Sequence, residues 1–174
     1  MSVNDIWISA RGGRLTLPTY RWQIAAGTPV LVRGGEPVKQ SASGSNTVIL
    51  LVDADMSLSG AFVPMVGIAA TPSSETASTA GYLDVYIPAN DIIWETVAKT
   101  LTLIDTQAEI DPLVGERKVI DLSSSRFTMD TAAADSASNV FLIVGGDPAK
   151  STAWFMILSI GTVLTHKGTS LLAQ

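Results

Sequence analysis

The apolar residues of this chain come in short runs, each closed by glycine, proline or a cluster of serine and threonine. That punctuation limits the fold more than any other feature, because it leaves room for strands and little room for long helices. Residues 81–88 give the clearest pattern. Leu83, Val85 and Ile87 alternate with Tyr82, Asp84 and Tyr86, the period of two expected of a half-buried strand. Residues 47–52 are a continuous apolar, β-branched run, read as a strand covered on both faces. Residues 61–70 are another apolar run, in which Pro64 argues for an edge or a bulge. Gly34-Gly35 is a hairpin signal, with Val30 to Val32 before it and Pro37-Val38 after it.

The second half reads the same way. Residues 92–103 suggest one or two strands. A helical alternative would put Ile93, Trp94, Val97 and Leu101 on one face. Asp105, Glu109, Asp111, Pro112 and Gly115 form the strongest internal boundary signal. Residues 118–122 and 126–129 flank Ser123-Ser124-Ser125, and residues 130–139 are a small-residue loop or short helix. Residues 139–144 and 153–164 read as buried strands separated by a turn at Gly145-Gly146-Asp147-Pro148.

Composition agrees with strands. Ser (18) and Thr (17) far outnumber Glu (5) and Lys (5), and only 16% of residues are charged. A coiled coil would need many more charges, and the 47% hydrophobic content rules out a wholly disordered chain. The expected fold is all-β: an antiparallel β-sandwich or barrel of jelly-roll-like form, with an extended N-terminal arm and little helix. The expected organisation is an arm over residues 1–20, a main barrel or sandwich over 21–104, and a C-terminal β subdomain over 105–174 that could be continuous with it.

Much chemistry is excluded. There is no cysteine and His166 is the only histidine. Thiol nucleophiles, disulfides, zinc–thiolate sites and paired-histidine schemes are therefore impossible. Residues 145–152 end in Lys-Ser like a phosphate-binding loop, but Val144 and Ala149 stand where that motif has glycine, and the following segment looks like strand. A hairpin turn is the better reading. Asp53, Asp55 and Ser57 have calcium-loop spacing, yet Leu58 replaces the glycine and Pro64 the bidentate glutamate. The five glutamates read as surface charge. No metal or cofactor is expected, and no enzymatic activity.

Charge is uneven. Residues 1–39 carry a net +3, residues 40–147 a net −10 and residues 148–174 a net +2. An acidic body argues against nucleic-acid binding. No apolar run reaches the roughly 20 residues of a membrane helix, and no signal peptide is visible, so a soluble product made in a cytoplasm is expected. The basic arm on an acidic body suggests docking to a protein surface. Ile6, Trp7, Ile8, Arg11 and Arg14 are the candidate contact residues: an apolar anchor with no local core, followed by two arginines. The alternative is an arm folded back on its own body.

One resemblance bears on function. Residues 65–100 run from a strand ending in Gly67-Ile68-Ala69, through a Ser/Thr/Ala-rich loop, to Gly81 and a strand closing in Tyr86-Ile87-Pro88. With Ala26-Gly27-Thr28-Pro29-Val30 and Gly34-Gly35-Glu36-Pro37-Val38 before it, this stretch resembles the capsid decoration (cement) proteins of tailed bacteriophages, in which an early hairpin opens a small β-barrel. The resemblance covers roughly residues 22–103. It implies a non-enzymatic virion protein on the capsid exterior, made in the host cytoplasm, that bridges neighbouring major capsid protein subunits. It implies self-association too, as a homotrimer, with a dimer as the alternative. A tail or head-fibre module and a carbohydrate-binding β-sandwich are the rival readings.

Overall fold

The computed structural model describes residues 9–12, 17–27, 34–42, 45–51, 65–88, 92–123, 126–137 and 139–158. It is all-β, as the sequence predicts. Eleven strands are described: β1 (Ser9–Gly12), β2 (Thr19–Ile24), β3 (Pro37–Gln40), β4 (Thr47–Leu50), β5 (Met65–Ala69), β6 (Gly81–Tyr86), β7 (Ile93–Val97), β8 (Arg117–Ser123), β9 (Arg126–Asp130), β10 (Phe141–Asp147) and β11 (Thr152–Ile157). The described helix is one turn, α1 (Gln107–Ile110), with short 3₁₀ turns at Leu101–Leu103, Asp111–Leu113 and Pro148–Lys150.

Two sheets share these strands. β2, β4, β3, β5 and β6 close into a barrel in that order, and the second sheet runs β1-β7-β11-β10-β8-β9. All described strand pairings are antiparallel except β2 with β4, which run parallel through Gln23 and Ile24. The second sheet curls toward closure. Lys99 N donates to Met129 O at 2.8 Å and Thr96 Oγ1 to Phe127 O at 3.0 Å, so β9 returns to the end of β7. The edge groups of β9 are thereby partly satisfied, which blunts an otherwise open strand.

The barrel is filled by Ile24, Val38, Val48, Val66, Ala69, Leu83 and Val85. A larger core lies between barrel and sheet. It joins Leu51, Met65 and Ile68 to Trp94, Ile120, Phe127, Met129, Phe141, Ile143, Phe155 and their neighbours. β5 contributes to both cores and is buried at every position. It is therefore the strand covered on both faces. Of residues 47–52, read from sequence as covered on both faces, Val48 and Leu51 are buried and Thr47, Ile49 and Leu50 half-buried, while residue 52 lies outside the described residues. A run of apolar residues reports burial, but which strand is sandwiched depends on where the second sheet lands.

The change of sheet falls between Tyr86 and Ile93. β7 joins β8 to β11 although it precedes residue 104, and the acidic stretch 105–115 links two strands of one sheet. Because the larger core spans both sheets, residues 105–158 pack continuously with the barrel. The helical alternative for residues 92–103 does not form over β7, whose alternating burial is that of a strand. At the β8–β9 hairpin, Ser123 pairs with Arg126 as the serine cluster suggests.

Gly145 and Gly146 lie inside β10, and the turn follows at residues 148–151. The reason is steric. A Cβ at Gly145 would sit 2.8 Å from Trp154 Cε3, and one at Gly146 would sit 2.7 Å from Thr152 O. These glycines let a tryptophan lie across the neighbouring strand, beside a bulge between Ile143 and Gly145. The turn itself is set by Asp147, whose side chain accepts from Ala149 N, and by Ser151 at φ 49°. A strand follows it, as the hairpin reading of residues 145–152 requires.

Candidate interaction surface

Ile6, Trp7, Ile8 and Arg14 lie outside the described residues, as do His166 and the Asp53-Asp55-Ser57 segment. Arg11 is placed by its backbone. β1 pairs with β7 through Ser9 with Glu95, Ala10 with Trp94 and Gly12 with Ile93, so Arg11 is the extra residue of a bulge. A bulge twists an edge strand and re-aims its side chains. Residues 9–12 thus lie on the edge of the second sheet, and residues 1–8 and 13–16 of the expected arm lie outside the described residues.

Among the described residues, the exposed large apolar side chains are Tyr20, Tyr82, Leu101, Leu103 and Val114. Tyr20 and Tyr82 belong to paired strands, but Tyr82 pairs with Gln23 and Tyr20 with Val85. An offset of three places their side chains on opposite faces of the ribbon, so this pair is no flat sugar platform. Arg21 Nε meets Asp84 Oδ1 at 3.0 Å on the Tyr82 face. That contact raises the guanidinium pKa above its ordinary value, first through the hydrogen bond and then through the opposite charge.

Leu101, Leu103 and Val114 flank α1. Thr106 and Glu109 form a reciprocal capping box there: Thr106 N donates to Glu109 Oε2 at 3.1 Å. Glu109 is held below the usual carboxylate range, chiefly by the Thr106 hydroxyl. Asp105 is pushed above it, chiefly by its hydrogen bond with Glu109. The two shifts act on stability with opposite signs. Glu109 stabilises the fold above its unfolded pKa and loses that contribution as pH falls through its folded value. Asp105 stabilises it below its unfolded pKa and loses that as pH rises. In an NMR titration, Asp105 is expected to titrate above Glu109, and Glu109→Gln to move Asp105 down. Superimposed curves in the parent protein would refute the pairing.

A second charged group closes the sheet. Lys99 Nζ contacts both Asp121 Oδ2 and Asp130 Oδ2. These carboxylates hold the lysine well above its usual range, the Asp121 hydrogen bond first. Near the other end of β8, Lys118 is buried, with Nζ donating to Ala133 O at 2.6 Å and meeting Glu116 Oε2 at 2.7 Å. Asn139, also buried, donates to Arg117 O and Ala134 O. Asp130 Oδ1 accepts from Ala132 N and Ala133 N. The loop 130–139 is thus tied to β8 by polar groups that pattern reading does not single out.

Two glutamates correct the surface-charge expectation. Glu36 and Glu75 are each 5% exposed. Glu36 is drawn in because its turn hydrogen-bonds β5, Gly35 N to Ala69 O and Ala69 N to Glu36 O. Both carboxylate oxygens of Glu75 are buried without a hydrogen-bond partner. No group of three or more metal-ligating side chains occurs among the described residues, and no described helix is long and apolar enough to cross a membrane. Trp94 is buried in the large core, Trp22 packs partly buried against the barrel core, and Trp154 is half-buried.

No protein-family model matches the chain, and no curated protein matches it in sequence.

Proposed function

We propose that this chain is a structural protein of a tailed-bacteriophage particle. In this reading it binds the outside of the capsid shell, bridges neighbouring major capsid protein subunits and acts without catalysis or a cofactor. The observation that carries the reading is the closed barrel over residues 19–86. It coincides with most of the stretch that resembles the decoration proteins, and its turn at Gly34-Gly35 leads into β3 where the resemblance expects an early hairpin. The partners are the major capsid protein and further copies of this chain. Residues 1–8, with Ile6, Trp7 and Ile8, supply the apolar anchor, followed by the basic residues Arg11 and Arg14.

The test is the composition of purified particles. Virions from the producing host, banded on a density gradient, should contain this chain at fixed stoichiometry with the major shell protein. Recovery only with free tails, or only in the soluble fraction, would overturn the reading. Two truncations then probe the anchor on particles stripped of the chain. Deleting residues 2–8 should weaken rebinding at least about tenfold, roughly 1.4 kcal/mol, and leave the melting temperature of the free protein unchanged. Deleting residues 2–12 should also lower the melting temperature, because it strips β1 from Ile93, Trp94 and Glu95 of β7. Unaltered rebinding by both would place docking elsewhere, with the loops around residues 41–46 and 71–80 next to examine.

A further inference from the structure

We propose that the chain pairs with a second copy of itself along the open half of β2, as a two-fold antiparallel strand pair centred on Tyr20. The inference stands apart from the particle reading and concerns the free protein. It starts from the direction of backbone groups. On β6, Tyr82 and Asp84 turn toward residues 70–74. Ser74 N donates to Tyr82 O and Ala70 N to Asp84 O, while Tyr82 N donates to Ser74 Oγ and Asp84 N to Thr71 Oγ1. Alternation then aims the backbone of Leu83 and Val85 at β2. Consistent with this, Ile87 N donates to Pro18 O.

Tyr20 and Trp22, which pair with Val85 and Leu83, therefore face β6 with their backbone groups. Thr19, Arg21 and Gln23 face away. β4 takes up only Gln23 and Ile24 of β2. The outward N–H and C=O groups of Thr19 and Arg21 have no hydrogen-bond partner among the described residues. Thr19, Tyr20 and Arg21 are all exposed, Tyr20 at 64%. An unpaired strand edge of this kind is a template for another strand.

The unpaired groups select the occupant. They lie symmetrically about Tyr20, so a second antiparallel copy places its Arg21 opposite Thr19 and its Thr19 opposite Arg21. Four backbone hydrogen bonds form, and every outward donor and acceptor of the two residues is used. Tyr20 then faces its own equivalent as a non-hydrogen-bonded pair, the closer of the two antiparallel spacings, and the exposed rings meet on one face. No like charges stand directly opposite, and each Arg21 keeps Asp84 beside it. Such an interface is isologous and closes at two copies, giving a dimer where the sequence suggested a trimer.

A contact this small gives weak association, so it should be sought by sedimentation near about 100 µM protein. A monomer–dimer equilibrium is expected. Thr19→Pro removes an outward donor from each copy without touching the bonds to β6, and should weaken the dimer at least about tenfold. The cysteine-free chain allows a sharper test. Tyr20→Cys should cross-link on mild oxidation to a covalent dimer, twice 18.3 kDa, because the facing Cα atoms would lie about 4.5 Å apart, within disulfide range. Tyr82→Cys, also exposed but on the other face, should cross-link far less. A monomer at every concentration, a trimer, or equal cross-linking of the two cysteine variants would overturn the proposal. Should Thr19→Pro misfold, the cysteine comparison decides alone.

Discussion

Gly67→Ala is expected to abolish the closed barrel. A Cβ at Gly67 would lie 2.0 Å from Tyr86 O, 2.9 Å from Val85 Cγ1 and 3.1 Å from Tyr86 C. A side chain could rotate away, but a backbone carbonyl can move only with its strand. That strand, β6, is held to β2 along its whole length, Thr19 with Tyr86 through Ile24 with Gly81. Making room for one methyl group therefore pulls β6 from β5 or strains the β2–β6 ladder that closes the barrel. Overpacking against side chains costs about 1–3 kcal/mol, and against a fixed backbone we expect more than about 3 kcal/mol, a large part of a typical 5–15 kcal/mol. Urea unfolding of the variant should show a much lower midpoint, or the protein should be recovered only insoluble. Gly34→Ala is the control. Its Cβ would meet only Ala70 O at 3.8 Å, an ordinary contact, and it should change stability by less than about 1 kcal/mol. Equal midpoints for the two variants would contradict the close approach of β5 and β6.

Phe155→Ala should have the second largest effect. Phe155 is fully buried on β11, between β7 and β10, where it pairs with Trp94 and Ile143. Its ring meets Phe141 edge-on, with centroids 5.6 Å apart and planes at 87°. Removing such a ring costs about 3–5 kcal/mol in lost transfer energy and residual cavity. The edge-to-face contact contributes roughly 0.5–1.5 kcal/mol of this beyond area burial. Phe141→Ala combined with Phe155→Ala should therefore cost less than the two separate losses added. Tyr82→Ala, at an exposed position, should stay within about 0.5 kcal/mol of the parent. A Phe155→Ala loss below about 1.5 kcal/mol would mean that the larger core does not pack around this ring.

Local pattern was a sound guide where an element's environment is set by its own neighbours. Of the alternation read over residues 81–88, β6 shows buried Leu83 and Val85 between more exposed Tyr82, Asp84 and Tyr86, while Ile87 lies beyond the strand and is half-buried. Ser123, the first residue of the serine cluster, pairs with Arg126 at the end of the β8–β9 ladder. The Gly34-Gly35 turn leads directly into β3. The candidate surface was less legible. The basic and apolar character of residues 6–14 is plain, yet residues 9–12 are an edge strand because β7 offers an edge there. The open stretch of β2 carries no sequence mark at all. Thr19 and Arg21 are unremarkable as letters, and their unpaired outward backbone groups follow only from where β4 begins, opposite Gln23.

By itself, then, the sequence determined the class of structure: strands, short turns, no thiol chemistry, and a basic start on an acidic body. Those properties depend on residues close together in the chain, through side-chain alternation, turn conformations and composition. The tertiary structure alone decided which strands share a sheet, that β5 is covered on both faces, that Glu36 and Glu75 are buried, and that Gly145 and Gly146 lie in a strand instead of a turn. Each of these depends on a partner distant in sequence, such as Trp154 over Gly145 or the second sheet over Met65 and Ile68. A residue's own neighbours do not specify which distant surface will meet it, so its burial or close contact is settled only when the sheets pack.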